Sequence, residues 1–217
     1  MMQVHSFTAG AFGENGYIAT CEATGATVVV DPGACAPQIV SRLATAGLSV
    51  QAILLTHAHL DHVEGLGVVR DFTDAPTHMH PLDRPMFDAL GQQAAMFGMP
   101  FPELDPPEEE LADGQVFTLG ECSFEVSLTP GHAPGHVMFV SLDAGLALSG
   151  DLIFMGSIGR TDLPGGNSQE LFASIRSRVL TLPDETRLLS GHGPETTVGH
   201  ERVANPFLVP QYGGELA

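Results

Sequence analysis

The chain has 217 residues, 43% of them hydrophobic, a size at which folding buries about 70% of the unfolded surface. Its 26 acidic residues stand against 8 basic ones, all arginine, for a formal charge of -18. That balance excludes the clustered cations a nucleic-acid surface needs and predicts a solvated acidic exterior.

Cys21, Cys35 and Cys122 are an odd count without a Cys-x-x-Cys spacing, so neither a disulfide framework nor a thiolate zinc site is expected. The start, Met1-Met2-Gln3-Val4-His5, lacks a charged segment followed by an apolar one, and no apolar run approaches the ~18 residues of a membrane span. The expectation is a single domain over residues 1–217, in a reducing cytoplasm, with no membrane partner. Nothing in the sequence speaks to oligomeric state.

In chain order, residues 4–8, 17–20 and 27–30 read as short strands separated by Gly-rich turns, a β meander. Val28-Val29-Val30 runs into Asp31-Pro32-Gly33, which stops the strand and leaves a carboxylate at its tip. Asp31 is either a turn residue or a partner that orients a metal-binding histidine. Ile39, Val40 and Leu43 share one face of a helix predicted over 37–46 and stopped by Gly47, after which 52–55 is a buried strand. A helix over 63–71 and a brief strand at 77–80 follow. His78 and His80, two apart on that strand, are read as structural, as are His5 and His200.

Residues 81–110 carry Met86, Met96, Met99, Phe87, Phe97 and Phe101, then Pro102, Pro106, Pro107 and three glutamates, which predicts a helix and a proline-rich loop. The apolar side chains there are either core or, at 97–101, a lid over a pocket. A second set of strands is predicted at 115–119, 122–128, 137–142 and 146–149. A helix over 168–180 opens on the capping pair Asn167 and Glu170, and a strand at 186–189 and a helix at 198–204 close the chain. Strands then helices, twice, predict an α/β chain of two packed sheets with helices outside. Leu55-Thr56-His57 and Leu128-Thr129-Pro130-Gly131-His132 are a faint internal echo, each ending a strand with threonine and then histidine.

The chemistry concentrates in Thr56-His57-Ala58-His59-Leu60-Asp61-His62, directly after a buried strand. Imidazole and carboxylate are donors for zinc, iron and manganese alike, and four within six residues exceed what one ion accommodates comfortably, which suggests two adjacent metals. His132, Asp151 and His192 each follow a glycine at a predicted strand end, where the backbone can turn sharply and present a side chain at one edge of the sheets.

This ordered set, H-x-H-x-D-H and then isolated His, Asp and His, resembles the metallo-β-lactamase superfamily over nearly the whole chain. The resemblance implies a four-layer αββα sandwich with two divalent metals at the edge between the sheets. It assigns His57, His59 and His132 to one metal, Asp61, His62 and His192 to the other, and Asp151 to the bridge. Two ions about 3.5 to 4 Å apart lower the pKa of a shared water toward about 7, and the hydroxide attacks while Asp61 orients it and moves its proton.

The stretch from Asp151 through Gly159-Arg160-Thr161-Asp162 resembles the glyoxalase II group, hydrolases of S-acylglutathione thioesters. In particular it is similar to a short bacterial subgroup ending in Gly-His-Gly-Pro-Glu-Thr. That resemblance implies a small-molecule thioester substrate and places Arg160 against the glutathione moiety, with an ion pair to Asp162 as the alternative. The 25 residues after His192 are expected to be too few for the C-terminal glutathione-binding helical domain of classical members. Gly193-Pro194 also replaces an acidic residue and a tyrosine there. Persulfide dioxygenase, a mononuclear iron enzyme of the same fold sharing the Gly-Arg-Thr-Asp run, is the rival reading, and a lactonase the third.

Overall fold

The computed structural model describes residues 1–210 and 214. The first half builds β1 (Met2–Ala9), β2 (Glu14–Cys21), β3 (Thr27–Val30), α1 (Ala36–Ala46), β4 (Val50–Leu54), α2 (Leu60–Val63), α3 (Leu66–Arg70), β5 (Thr77–Met79), a 3-10 turn (Pro81–Asp83), α4 (Arg84–Asp88), α5 (Leu90–Met96) and β6 (Glu109–Glu110). The second half builds β7 (Val116–Leu119), β8 (Cys122–Leu128), β9 (Val137–Ser141), β10 (Leu146–Gly150), the hairpin β11 (Ile153–Phe154) and β12 (Ser157–Ile158), α6 (Ser168–Ser174), β13 (Arg187–Ser190), β14 (Thr196–Thr197) and α7 (Val198–Ala204).

One sheet runs in order β1 to β6, antiparallel through β3 and parallel from there. The other runs β14-β13-β10-β9-β8-β7, with β10 and β13 parallel. Side-chain alternation explains the layers. In β3, Val28 and Val30 face the other sheet while Val29 faces helices, and in β4 Ala52 and Leu54 face in while Ile53 faces out. The inward faces meet Phe117, Phe124, Phe139 and Leu148 in a central core. Ile18, Val29 and Ile53 pack under Ile39, Leu43 and Leu66 of α1 and α3, and Met138 and Ala147 pack under Leu171, Ile175 and Val198 on the far side. Three apolar layers between four structural ones make the αββα sandwich that was expected.

The structure departs from expectation at four places. The helix expected over 63–71 is two pieces, because at Gly65 the chain lies so close to the Pro32-Gly33 loop that an added Cβ would sit 2.0 Å from the Gly33 carbonyl oxygen. Asp61 and His62 consequently ride a helical turn that begins at Leu60, one residue after His59. The helix expected over 168–180 is α for its first part and continues as a π turn over Ile175–Val179. Asn167 accepts from the backbone N–H groups of Gln169 and Glu170, while its own N–H bonds Gly131, so only half of the expected capping box forms. Short strands β6, β11, β12 and β14 lie in segments that read as loop. Among the described residues no helix is long and apolar enough to cross a membrane.

Candidate metal centre

The loops after β4, β8, β10 and β13 converge at one edge of the sandwich and bring all seven sequence-predicted donors together. His57, His59 and His132 form one group, His57, His62 and Asp151 a second, and Asp61, His62 and His192 a third, each with its donor atoms within 4.8 Å of one another. Asp151 stands between them. Its carboxylate oxygens lie 3.5 Å from His132 Nε2, 3.4 Å from His62 Nε2 and 3.5 Å from His192 Nε2. Asp61 Oδ2 is 3.2 Å from His192 Nε2.

Four of the five imidazoles are oriented by a bond at Nδ1, which leaves Nε2 for the centre. His132 Nδ1–H donates to the Arg160 carbonyl (2.8 Å) and His192 Nδ1–H to the Phe12 carbonyl (3.1 Å). His62 Nδ1–H donates to Asp31 Oδ2 (3.0 Å), and His57 Nδ1–H to Thr56 Oγ1 (3.0 Å). Thr56 in turn donates its hydroxyl to Asp31 Oδ2 and its backbone N–H to Asp31 Oδ1, both at 2.7 Å. Asp31 therefore fills both roles the sequence left open: it turns the chain at φ 46° and its carboxylate orients His62 and, through Thr56, His57. His59 differs: its Nδ1 faces inward, 2.7 Å from His132 Nε2, so it offers Nδ1 to the centre.

The glycines before the donors are steric requirements. At Gly150, φ 46°, an added Cβ would lie 2.6 Å from His136 Nε2, and at Gly191 it would lie 2.2 Å from Asp151 Oδ1. Only hydrogen fits there.

Electrostatically the donors fall into two halves. Burial first, then neighbouring imidazoles, holds His57 well below the ordinary histidine range and His59 at about 3, and burial also lowers His132. Those rings are neutral with lone pairs available. For His192 burial pulls down, but the hydrogen bonds it donates to Asp151 and Asp61 prevail and raise it to about 10. For His62 burial is outweighed by the charges of Asp151 and Asp61 and by its hydrogen bonds to Asp151 and Asp31, which raise it well above the ordinary range. Asp151 and Asp61 are lowered, burial being outweighed by His62 and His192. Three buried atoms in this cluster, His57 Nε2, His62 Nε2 and Asp151 Oδ1, have no hydrogen-bond partner. Buried polar atoms without partners are costly; a divalent ion would take the lone pairs of His57 Nε2 and Asp151 Oδ1 and, in exchange for its proton, that of His62 Nε2. The donor set fits divalent metal ions.

Four supporting residues were not visible in the sequence reading. His136 Nε2 accepts the Asp151 backbone N–H (3.0 Å) and its Nδ1–H donates to Thr129 Oγ1 (2.8 Å), so it fixes the backbone of the central carboxylate. It had a local signal, a second Pro-Gly-His four residues after Pro130-Gly131-His132. Asp83 accepts the N–H groups of Ala58 (3.0 Å) and Gly135 (2.5 Å), tying the His57–His59 turn to the loop that bears His132. Asn15 Nδ2 donates to the carbonyls of Ser190 (3.0 Å) and Gly193 (2.8 Å), on either side of His192. Glu14 is buried against His62 and Asp61, and burial raises its carboxyl to about 9.

A cavity of about 710 Å³ opens from the centre, with Asp61, Asp151 and His192 in its floor. Phe97 stands at its rim with its ring edge-on to Phe12, centroids 5.0 Å apart, while Met99 and Phe101 pack partly buried under α5. Of the 97–101 segment, then, Phe97 lines the pocket, Met99 and Phe101 pack partly against the core, and Gly98 and Pro100 are exposed. Arg160 also reaches the rim, with Nε and Nη2 bonded to the two carboxylate oxygens of Asp162 at 2.7 and 2.8 Å. His78 packs on Phe117 and His80 caps the 3-10 turn, both away from the centre.

The family model of the metallo-β-lactamase superfamily matches residues 9–192. The chain is 36% identical to the hydroxyacylglutathione hydrolase GloC of Haemophilus influenzae over 182 residues, 83% of this chain and 86% of that protein. Among solved structures it is similar to the BLEG-1 B3 metallo-β-lactamase, with a TM-score of 0.89 and 37% identity over 95% of this chain and all of that one. It is similar also to TTHA1623 in a di-iron-bound form, with a TM-score of 0.86 and 41% identity over 94% of this chain and all of that one. With its sandwich, its strand-end donors and these likenesses, the chain belongs to the metallo-β-lactamase superfamily, whose members are mostly metal-dependent hydrolases.

Proposed function

We propose that the chain is a single-domain, cytoplasmic, binuclear metal-dependent hydrolase of thioesters, with S-acylglutathiones such as lactoylglutathione the first substrates to test. The observation that carries this reading is the position of Asp151, whose carboxylate lies within 3.5 Å of imidazoles from both halves of the cluster, the place of a bridging ligand. In this reading His57, His59 and His132 hold one ion, Asp61, His62 and His192 the other, and Asp151 both. Zinc is the metal proposed, with iron and manganese as alternatives, and the likeness to a di-iron protein supports iron as a serious one. The likeness to GloC supports the thioester class.

When bound, two divalent ions polarise the acyl carbonyl and make hydroxide available at neutral pH. The protein's own part is positional. Asp61 lies in the cavity floor beside His192, where its carboxylate would accept the proton of the attacking water and return it to the departing sulfur. Hydroxide adds to the carbonyl carbon, the C–S bond breaks, and a carboxylate and a thiol leave. Phe12, Phe97 and Leu60 surround the reacting carbonyl with apolar groups that exclude competing solvent.

The test is metal content of protein purified without added metal, measured together with lactoylglutathione hydrolysis. Two ions per chain and thioester turnover are expected. One iron per chain with oxygen uptake on glutathione persulfide would overturn the proposal in favour of a dioxygenase, and lactone cleavage without thioester cleavage would move it to a lactonase.

A further inference from the structure

The cavity beside the centre has a one-sided chemistry that the thioester reading alone does not require. One wall is Leu82, Met86 and Pro85 from the 3-10 turn and α4, with Met96 and Phe97 at the end of α5. The opposite wall is Phe154 and Ile158 from the β11/β12 hairpin, with Leu163 and Pro164 beyond it. Leu82 and Phe97 are 55% and 57% exposed, large apolar side chains that line the cavity and are left half uncovered. An apolar surface that folding leaves uncovered beside a reactive centre is stabilised by whatever apolar group comes to cover it.

Of the polar side chains on these walls, Gln93 and Arg160 are already engaged, and the exposed Gln92 is uncharged. Gln93 uses its amide three times, accepting from Leu60 N–H and donating to the carbonyls of Ala58 and Met86. Arg160 is held by both oxygens of Asp162. Among the described residues no other arginine lines the cavity, and the sequence has no lysine. An anionic tail entering here would share a guanidinium whose charge Asp162 already balances, against a protein of formal charge -18. An alkyl chain displaces only water.

We infer that this cavity selects an apolar substituent on the scissile thioester, a straight-chain group of medium length, in preference to the two carboxylates of a glutathione tail. Methionine suits that role, since its unbranched thioether adapts to chains of different length. The inference rests on the hydrolase reading for the reaction and on the cavity walls for the selectivity, and the two fail separately.

The experiment is a pair of substrate series on the metal-loaded protein: acetyl to octanoyl esters of the small neutral thiol N-acetylcysteamine, and acetyl esters of ethyl to octyl thiols. Complete burial of four methylenes would give about two-hundredfold in kcat/KM. In one of the two series kcat/KM is expected to rise at least tenfold between the four-carbon and the eight-carbon member, and which series rises tells which side of the thioester the cavity takes. Leu82→Asp and Phe97→Asp, each made separately at a half-exposed position, are expected to reduce that rise to less than threefold. Flat series with turnover intact would overturn the inference and keep the hydrolase, as would a hundredfold preference for lactoylglutathione over the octanoyl ester. Should no thioester be cleaved, calorimetry of butyrate against octanoate reads the cavity alone. Octanoate binding at least tenfold tighter, and lost in Leu82→Asp, upholds the apolar site without the hydrolase, and equal affinities overturn it.

Discussion

His136 touches no solvent and lies outside the predicted donors, yet its replacement should disturb the centre through Asp151. In His136→Leu the Asp151 N–H loses its only acceptor, an orphaned interior donor costing about 1–3 kcal/mol, and the neutral bond to Thr129 is lost for about 1 kcal/mol more. The sum is about 2–4 kcal/mol. For a chain of this size each kcal/mol moves Tm by about 2–4 °C, so the metal-free variant should melt about 4–16 °C below the parent. His136→Gln places an amide oxygen where Nε2 stood and should recover about half of that loss, because it restores the acceptor for Asp151 and not the donor for Thr129. The assay is calorimetric melting in chelator, with metal per chain measured after dialysis against limiting zinc. The leucine variant should also retain less metal than the glutamine variant, since the carboxylate of Asp151 is one residue's freedom away from the bond that was cut. A leucine variant within about 0.5 kcal/mol of the parent, or a glutamine variant no better than leucine, would refute the reasoning.

Asp61→Asn keeps shape and loses charge, so turnover should fall at least a hundredfold while Tm of the metal-free protein shifts by only a few degrees, and near-normal turnover with full metal would remove this carboxylate from the chemistry. Asn15→Ala cuts both bonds that straddle His192 and should lower metal retention more than it lowers stability, read by zinc titration with a competing chelator. For the metal-free protein, stability against denaturant should peak near pH 6.5: His57, His59, His132 and His136 are lowered, so the unfolded chain takes up protons the fold refuses as pH drops below that value. His192 is raised to about 10 and Glu14 to about 9, so their contributions are full at low pH and fade as pH climbs toward those values; a monotonic rise in stability from pH 5 to 9 would contradict this.

What the sequence made legible was whatever is written locally. Val28-Val29-Val30 and the run to Leu55 are apolar on both faces, and the structure buries both faces. The glycines before His132, Asp151 and His192 marked strand ends because only glycine tolerates the close approaches found there. What stayed hidden depends on partners far along the chain. Asn15 is a turn-like residue until Ser190 and Gly193 are beside it, and Asp83 is one more acidic residue until Ala58 and Gly135 point their N–H groups at it. The break at Gly65 is imposed by Gly33, and the two-residue strands exist only through their pairing. His136 is the exception, since the doubled Pro-Gly-His was there to be read. The echo between Thr56 and Thr129 acquires a physical meaning too: each threonine hydroxyl accepts from a histidine Nδ1–H, His57 in one half and His136 in the other.

The same contacts explain how a fold tolerates so unfavourable a cluster. Five imidazoles and two carboxylates crowd a largely buried space, with His57 Nε2, His62 Nε2 and Asp151 Oδ1 left without hydrogen-bond partners. Left to relax, these side chains would rotate toward water. Four of the imidazoles are prevented by a bond on the far side and Asp151 is fixed at its backbone, and the anchors come from five separate places in the chain: Phe12, Asp31, Thr56, His136 and Arg160. The anchors in turn are held by the two sheets, so the apolar layers that stabilise the sandwich also offset the strain at its edge. A divalent cation is the group that satisfies several converging lone pairs at once, and it would replace the proton that the neighbouring carboxylates hold on His62. The arrangement is costly for an empty protein and favourable for a loaded one, which is the energetic form a metal site takes when it is built into the fold before the ion arrives.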